Sequence, residues 1–151
     1  MRRYTPAPLA DPGGYILLVE HNEDDVALTT HALKALGSAD KVVTARDGLE
    51  ALAMVFSVGM FAERRPPLPR LVLVDIGLPK LSGLHVLEAL RSNRRTESLP
   101  VVMLTSSAHA RDIIESFVRG ANGFVQKPID CADAAVLAGL EHRRLHLKVP
   151  R

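Results

Sequence analysis

Four short apolar segments, each followed by a polar residue, constrain the fold of this chain more than any other feature of its sequence. The segments are Ile16–Val19, Leu71–Val74, Val101–Leu104 and Phe124–Gln126, and the residues that follow them are Glu20, Asp75, Thr105 and Lys127. Segments without alternating polarity are typical of parallel strands that are buried on both faces. Because parallel strands end at the same edge of a sheet, we expect the four polar residues to converge there.

Segments with helical periodicity separate these strands, and a further strand is predicted at Lys41–Ala45. Strand and helix therefore alternate five times, which favours an α/β fold with a five-stranded, doubly wound parallel sheet and five helices. The predicted helix caps include Asn22 or Asp24, Asp47, Ser82, and Asp130 or Asp133. The positions expected to face the core are Val26, Thr29, Leu33 and Leu36 in the first helix, Leu49, Leu52, Val55 and Phe56 in the second, Val86, Leu87 and Leu90 in the third, Ile113, Ile114, Phe117 and Val118 in the fourth, and Val136, Leu137 and Leu140 in the last.

The length of 151 residues allows one domain with a full core, and 47% hydrophobic residues with 24% charged residues are typical of a globular protein. We expect residues 1–14, which are rich in proline and glycine, to form a flexible leader. Residues 15–141 are then the domain, and residues 142–151 extend its last helix as a basic tail.

Charge and hydropathy argue against two classes of partner. A net charge of +2 gives no reason to expect a nucleic acid, and no segment approaches the roughly 18 apolar residues of a membrane span. The single cysteine, Cys131, cannot form an intrachain disulfide, which fits a reducing compartment. We therefore expect a cytoplasmic protein without a nucleic-acid or membrane partner.

The four polar residues at the predicted sheet edge have a chemistry that fits phosphoryl transfer. If the two carboxylates, the hydroxyl and the ammonium converge, one carboxylate could carry a phosphoryl group. A metal ion, the hydroxyl and the ammonium would then hold that phosphorylated carboxylate. Such transfer depends mainly on positioning and on neutralising the phosphoryl oxygens.

Four motifs carry a resemblance to a known family. They are Leu-Val-Glu20, Val-Asp75-Ile-Gly-Leu-Pro79-Lys-Leu-Ser-Gly83, Leu-Thr105-Ser-Ser, and Gly120-Ala-Asn-Gly-Phe124-Val-Gln-Lys127-Pro128. With these motifs in order, residues 15–141 resemble the receiver domain of bacterial response regulators, such as the chemotaxis regulators. The proline-containing insertion before the third strand and the glutamate at position 20 resemble the phytochrome-associated single-domain regulators. The resemblance implies the flavodoxin-like receiver fold, with strand order 2-1-3-4-5.

The resemblance also implies a role for each strand-end residue. Asp75 would be the phosphoacceptor, and Thr105 and Lys127 would contact the phosphoryl oxygens. A Mg²⁺ ion would be bound by Glu20, Asp75 and the main-chain carbonyl of Gly77.

Two further features follow from the same resemblance. Phe124 occupies the position of a switching aromatic residue that moves with Thr105, although a phenylalanine cannot form the hydrogen bond of a tyrosine. The peptide bond before Pro128 is expected to be cis.

The function that the resemblance implies is that of a single-domain response regulator in a two-component phosphorelay, which is not an enzyme and signals by docking to other proteins. The expected partners are a sensor histidine kinase, a bacteriophytochrome under the narrower resemblance, and a second copy of the chain. The homodimer would form through the face of the fourth helix, the fifth strand and the fifth helix.

His21 departs from the family pattern, which has a second metal-binding acid at this position. A neutral imidazole brings no negative charge and favours transition metals over Mg²⁺, so weak Mg²⁺ binding is expected. Glu23 or Asp24 could compensate for the lost charge. A protonated His21 could instead pair with Asp75 and imitate the metal. The alternative function is a non-phosphorylated pseudo-receiver that acts as a binding or dimerisation module.

Other functional classes lack their characteristic residues. A phosphatase of the haloacid dehalogenase type needs a second aspartate two residues after the nucleophile, where this chain has Gly77. A dinucleotide-binding enzyme needs a glycine-rich turn after the first strand, where this chain has an acidic cluster. A DNA-binding regulator needs an output domain, and ten residues follow residue 141.

Overall fold

Strands and helices alternate along the part of the chain that the structure describes. This computed structural model describes residues 15–35, 41–58, 67–107, 109–130, 132–133 and 137. The strands are β1 (Ile16–Val19), β2 (Val42–Ala45), β3 (Leu71–Asp75), β4 (Val101–Thr105) and β5 (Gly123–Gln126). The helices are α1 (Glu23–Ala35), α2 (Gly48–Val55), α3 (Gly83–Arg91) and α4 (Ala110–Val118).

The five strands form one parallel sheet in the order β2-β1-β3-β4-β5, which confirms the predicted topology. Its register brings the strand ends to the same edge. Asp75 at the end of β3 is opposite Leu104, and Thr105 at the end of β4 is opposite Gln126, the residue before Lys127. The strand order reverses between β1 and β3, and open α/β sheets bind their ligands at such a position.

Apolar side chains cover both faces of the sheet, because successive residues of a strand point to opposite sides. In β1, Leu17 and Val19 pack with residues of α2 and α3, whereas Ile16 and Leu18 pack with residues of α1 and with Leu137. β1, β3 and β4 are buried along their whole length. Uniform apolarity therefore correctly predicted that these strands are covered on both sides.

Most of the predicted fifth helix lies outside the described residues. Ala132, Asp133 and Leu137 are helical, and Leu137 is fully buried. The backbone N–H of Asp133 donates to Asp130 Oδ1 at 2.8 Å, which makes Asp130 the cap of this turn. Among the described residues, no helix has the length and apolarity needed to cross a bilayer.

Hydrogen bonds at the helix starts decide between the predicted caps. Asn22 Oδ1 accepts from the N–H of Asp25 at 3.0 Å, so Asn22 caps α1 and Asp24 does not. Asp47 Oδ1 accepts from the N–H of Glu50 at 2.8 Å and caps α2. Ser82 caps α3.

Two predicted helix faces are partly wrong. Leu49, expected in the core, is 55% exposed, because α2 turns Ala51, Met54 and Val55 towards the sheet. In α4, Ile114 and Val118 are 61% and 75% exposed, and the buried residue is Ser116. The hydroxyl of Ser116 donates to the carbonyl of Asp112 at 2.8 Å, which explains how a serine takes the buried position. The predicted core positions of α3 are confirmed.

Candidate functional site

A cavity of about 470 Å³ opens at the carboxyl edge of the sheet, and the four strand-end residues lie in its wall. The lining residues are Glu20, His21, Asn22, Asp25, Asp75, Ile76, Gly77, Thr105, Ser106, Ser107, Asp112 and Lys127. The loops after β1, β3, β4 and β5 all contribute to this wall. The convergence of polar residues that the sequence predicts is therefore present.

Lys127 lies between three carboxylates. Its Nζ is 2.8 Å from Asp25 Oδ2, 2.9 Å from Glu20 Oε1 and 3.5 Å from Asp75 Oδ2. Only 8% of the Lys127 side chain is exposed, and Glu20 is fully buried. Buried charges persist only when they are paired, so each of these groups depends on its neighbours.

The pKa values of Glu20 and Lys127 reflect this burial. Burial raises the pKa of Glu20 and the Asp75 carboxylate adds to the rise, against the lowering effect of hydrogen bonds from Lys127 and from the N–H of Asn22. Burial alone would lower the pKa of Lys127, but hydrogen bonds to Asp25 and Glu20 and the charge of Asp75 outweigh it and raise that pKa. Lys127 is therefore held in its charged form.

Asp75 is held at the end of β3 by close backbone packing. The residue is 5% exposed, and its Oδ1 accepts a hydrogen bond of 3.3 Å from the N–H of Gly77. The N-terminus of α3 passes so near that a Cβ on Gly83 would overlap the main-chain oxygen of Asp75. Glycine is required at position 83 for this approach, which explains part of the motif that follows Asp75.

The Thr105 hydroxyl is engaged with the loop that follows β4. Thr105 Oγ1 donates to the carbonyl of Ser107 at 2.8 Å and accepts from the N–H of Ser107 at 3.2 Å. The N–H of Lys127 donates to the carbonyl of Thr105 at 2.7 Å, which links the two strand ends. A hydroxyl has one proton to donate, so Thr105 must release Ser107 before it can donate to another oxygen.

The structure also describes the two other residues predicted from the motifs, Pro128 and Phe124. The peptide bond between Lys127 and Pro128 is cis. Phe124 is partly buried and packs against the core, two residues before Gln126, which lies opposite Thr105.

The residues present fit a divalent cation. One ligand atom each from Glu20, His21 and Asp75 lie within 4.8 Å of one another, and both carboxylates are buried while His21 is exposed. Carboxylate oxygens suit Mg²⁺ and Mn²⁺, and an imidazole nitrogen is also acceptable to Mn²⁺ and later transition metals. Gly77, the predicted carbonyl ligand, lies in the same cavity wall.

The sequence alone missed two acidic residues of the site, Asp25 and Asp112, which both line the cavity. Glu23 and Asp24, the acids that could compensate for His21, are exposed, and Glu23 forms an ion pair of 3.1 Å with Arg46. Asp25 lies in the first turn of α1, three residues after the Asn22 cap, where acidic residues are common because they are attracted to the helix dipole. The sequence therefore carried no signal that Asp25 faces the cavity.

Comparison with known proteins identifies the family. The family model described as "Response regulator receiver domain" matches residues 16–137. This chain belongs to that family. The receiver domain assigned from the sequence motifs is thus confirmed, together with its place in two-component signalling.

The similar proteins include regulators named for phytochrome systems. The response regulator Rcp1 of Synechocystis sp. is 33% identical over 124 residues, which are 82% of this receiver chain and 83% of Rcp1. The structure of the bacteriophytochrome response regulator AtBRR has 37% identity and a TM-score of 0.76, and the match covers 91% of this chain and 98% of that one. The structure of the phosphorylated cyanobacterial phytochrome response regulator RcpA has 31% identity and a TM-score of 0.74, with 91% and 99% covered. These similarities confirm the receiver fold and the resemblance to phytochrome-associated regulators.

Proposed function

We propose that this chain is a single-domain response regulator of a two-component phosphorelay, with Asp75 as its phosphoacceptor. The observation that carries the proposal is the convergence of Asp75, Glu20, Thr105 and Lys127 on one cavity. The phosphorylated form of RcpA, a relative of similar length, supports it. Residues 15–141 would form the receiver, with residues 1–14 as a leader and 142–151 as a basic extension; the match to residues 16–137 supports this division.

In the proposed reaction, a carboxylate oxygen of Asp75 attacks the phosphorus of a phosphohistidine on the sensor kinase. The new oxygen–phosphorus bond forms as the phosphorus–nitrogen bond breaks, and the electron pair of that bond leaves with the imidazole. Lys127 moves from its carboxylate partners towards a phosphoryl oxygen, and the Thr105 hydroxyl leaves Ser107 to donate to another. Ser106, exposed beside Thr105, is small enough to leave room for the phosphoryl group.

We propose that Glu20, Asp75 and the Gly77 carbonyl hold a Mg²⁺ ion, which His21 makes weakly bound. The cluster of ligand atoms from Glu20, His21 and Asp75 supports a divalent site. The Mn²⁺-bound form of Rcp1, 31% identical to this chain, also supports it. When bound, such an ion neutralises phosphoryl charge and orients the phosphoryl oxygens.

The proposed switch is a shift in population between two conformations of the receiver. Because the Thr105 hydroxyl binds the Ser107 carbonyl at 2.8 Å, a phosphoryl group at Asp75 must compete with that carbonyl. Movement of Thr105 would change the packing near Phe124, which lies on the adjacent strand. Gly77 and Ser107, at the cavity wall, would influence the lifetime of the phosphoryl group.

The proposed partners are a sensor histidine kinase and a second copy of the chain, in the cytoplasm and without nucleic acid or membrane. The names of AtBRR and RcpA support a bacteriophytochrome as the kinase. Ile114 and Val118 lie one helical turn apart on α4 and are 61% and 75% exposed, which supports docking or homodimerisation through the face that includes β5. We propose that the chain acts by such docking and has no enzymatic activity of its own.

Acetyl phosphate labelling tests the proposed phosphoacceptor. In saturating Mg²⁺, the wild-type chain is expected to gain one phosphoryl group, detected by intact-protein mass spectrometry, and Asp75→Asn is expected to gain none. Asp24→Asn, a change of the same kind at an exposed acid outside the cavity, should be labelled like the wild type. Labelling of Asp75→Asn at the wild-type level would exclude Asp75. A wild-type chain that is never labelled would favour the pseudo-receiver.

A further inference from the structure

The Lys127 ammonium forms its two hydrogen bonds with Asp25 and Glu20, although Asp75 is close by. The Nζ of Lys127 is 2.8 Å from Asp25 Oδ2 and 2.9 Å from Glu20 Oε1, but 3.5 Å from Asp75 Oδ2. We propose that Asp25 is a positioning residue, which holds the ammonium beside Asp75 and keeps the two groups from forming a direct hydrogen-bonded pair. The proposal deepens the proposed function and rests on Asp75 as the reacting carboxylate.

Asp25 is better suited to this role than Glu20. Glu20 belongs to the cluster of ligand atoms with His21 and Asp75, so a bound cation would take part of its charge away from Lys127. Asp25 lies outside that cluster, and 27% of its side chain is exposed. The backbone of Asp25 is also held in place, because its N–H donates to Oδ1 of Asn22, the cap of α1, at 3.0 Å. Asp25 is therefore the carboxylate that stays available to Lys127 when the cation is bound.

Removal of the Asp25 charge would send Lys127 towards Asp75. Lys127 would lose one of its two charged hydrogen-bond acceptors, and the nearest other carboxylate oxygen is Asp75 Oδ2, already at 3.5 Å. A direct pair would occupy a lone pair of Asp75 and neutralise its charge. The same carboxylate would then be a weaker ligand for a cation and a weaker nucleophile for phosphorus. Asp25 thus keeps Asp75 available for both.

The first test measures the Mg²⁺ affinity of the full chain by NMR titration. We expect Asp25→Asn to weaken Mg²⁺ binding by about tenfold, or about 1.4 kcal/mol, beyond the effect of Asp24→Asn. Asp24 is the matched control, since it lies in the same first turn and is exposed. In a Lys127→Met background, Asp25→Asn and Asp24→Asn should have equal effects. Equal effects in the wild-type background would overturn the proposal, because they would show only the loss of one negative charge.

The second test observes Asp75 without any metal. The N–H of Gly77 donates to Asp75 Oδ1 at 3.3 Å, so its chemical shift reports on that carboxylate. Asp25→Asn should move the Gly77 resonance, the shift should be absent in the Lys127→Met background, and Asp25→Glu should restore the wild-type position. An unmoved Gly77 resonance in Asp25→Asn would contradict the proposal. Neither test needs phosphorylation, so a failure of Asp75 labelling is distinguishable from a failure of this inference.

Discussion

At the scale of single residues, His21 is the unusual member of the proposed metal site, because it provides an exposed imidazole beside two buried carboxylates. We expect His21→Asp to lower the Mg²⁺ dissociation constant at least about fivefold, since it adds a negative oxygen ligand of the kind that Mg²⁺ prefers. Isothermal titration calorimetry of the two proteins measures the difference. His31→Asp is the control, because His31 is an exposed residue of α1 outside the cavity. Equal Mg²⁺ affinity in wild type and His21→Asp would mean that position 21 does not contact the ion.

The sequence could indicate only some of the site at the scale of single residues. Glu20, Asp75, Thr105 and Lys127 were predictable together because each directly follows or ends an apolar segment of the sheet. Asp25 was not, since its contact with Lys127 spans 102 residues and depends on how α1 is rotated against the sheet. Acidic residues in the first turn of a helix are common for a separate reason, their attraction to the helix dipole. Their sequence position therefore does not distinguish a solvated acid from a site residue.

At the scale of elements, the start of α2 combines a helix cap with an ion pair. Hydrogen bonding from the N–H of Glu50 lowers the pKa of Asp47, with a further contribution from Lys80 at 3.4 Å. We expect Asp47→Ala to lower the free energy of unfolding by about 1 kcal/mol at neutral pH, the usual effect of losing such a cap. The exposed ion pair with Lys80 adds little. Urea unfolding of the two proteins measures the change.

The stabilisation that the Asp47 cap provides is expected to decrease as the pH falls. Because the folded-state pKa of Asp47 lies below 3.8, its stabilisation is present above that value and disappears as the pH falls through the folded-state pKa. The difference between wild type and Asp47→Ala should therefore shrink in acid. Asp47→Asn, which caps without titrating, should differ from Asp47→Ala by an amount that does not change with pH. A wild-type advantage that grows in acid would contradict the assignment of the cap.

Element boundaries were easier to predict than the faces that the elements bury. Caps and stop residues act locally, as Asp47 does at the start of α2 and Gly120 does after α4, with a φ of 102°. The buried face of α4 depends on tertiary packing. Its apolar residues include two adjacent pairs, and only the structure shows that Ile114 and Val118 are turned to solvent. Hydrophobic periodicity cannot identify the buried face of a helix when apolar residues occupy both of its sides.

At the scale of the whole molecule, a buried polar link joins α3 to β4 and to the start of β5. Asn122 Oδ1 accepts from the N–H of Val101 and from Arg91 Nη2, both at 2.8 Å, and Arg91 Nε donates to the carbonyl of Gly120 at 2.9 Å. The sequence gives no indication of this link, because Arg91 and Asn122 are 31 residues apart. The sheet order, in contrast, follows from the alternation of elements and the handedness of their connections.

We expect Asn122→Ala to lower the free energy of unfolding by about 2–4 kcal/mol, because it leaves the buried Val101 N–H unpaired and removes one bond of a charged guanidinium. Burial already lowers the pKa of Arg91, so the loss of a partner for this cation is costly. Asn122→Asp, which keeps the acceptor and adds an opposite charge, should recover most of the stability. Asn93→Ala is the control at an exposed turn, where the side chain accepts from the N–H of Arg95.

The position of this link predicts which strand Asn122→Ala destabilises first. β5 is an edge strand of the described sheet, and Lys127 directly follows it. Asn122 directly precedes β5, and its N–H donates to the Val101 carbonyl at 2.7 Å. In Asn122→Ala, hydrogen exchange should therefore accelerate first in β5 and only later in β1 and β3, which are flanked by strands on both sides. Uniform acceleration across the sheet would show that Asn122 contributes to the global stability of the protein and not specifically to the stability of β5. Selective acceleration would mean that the strand that positions Lys127 is held in place from α3.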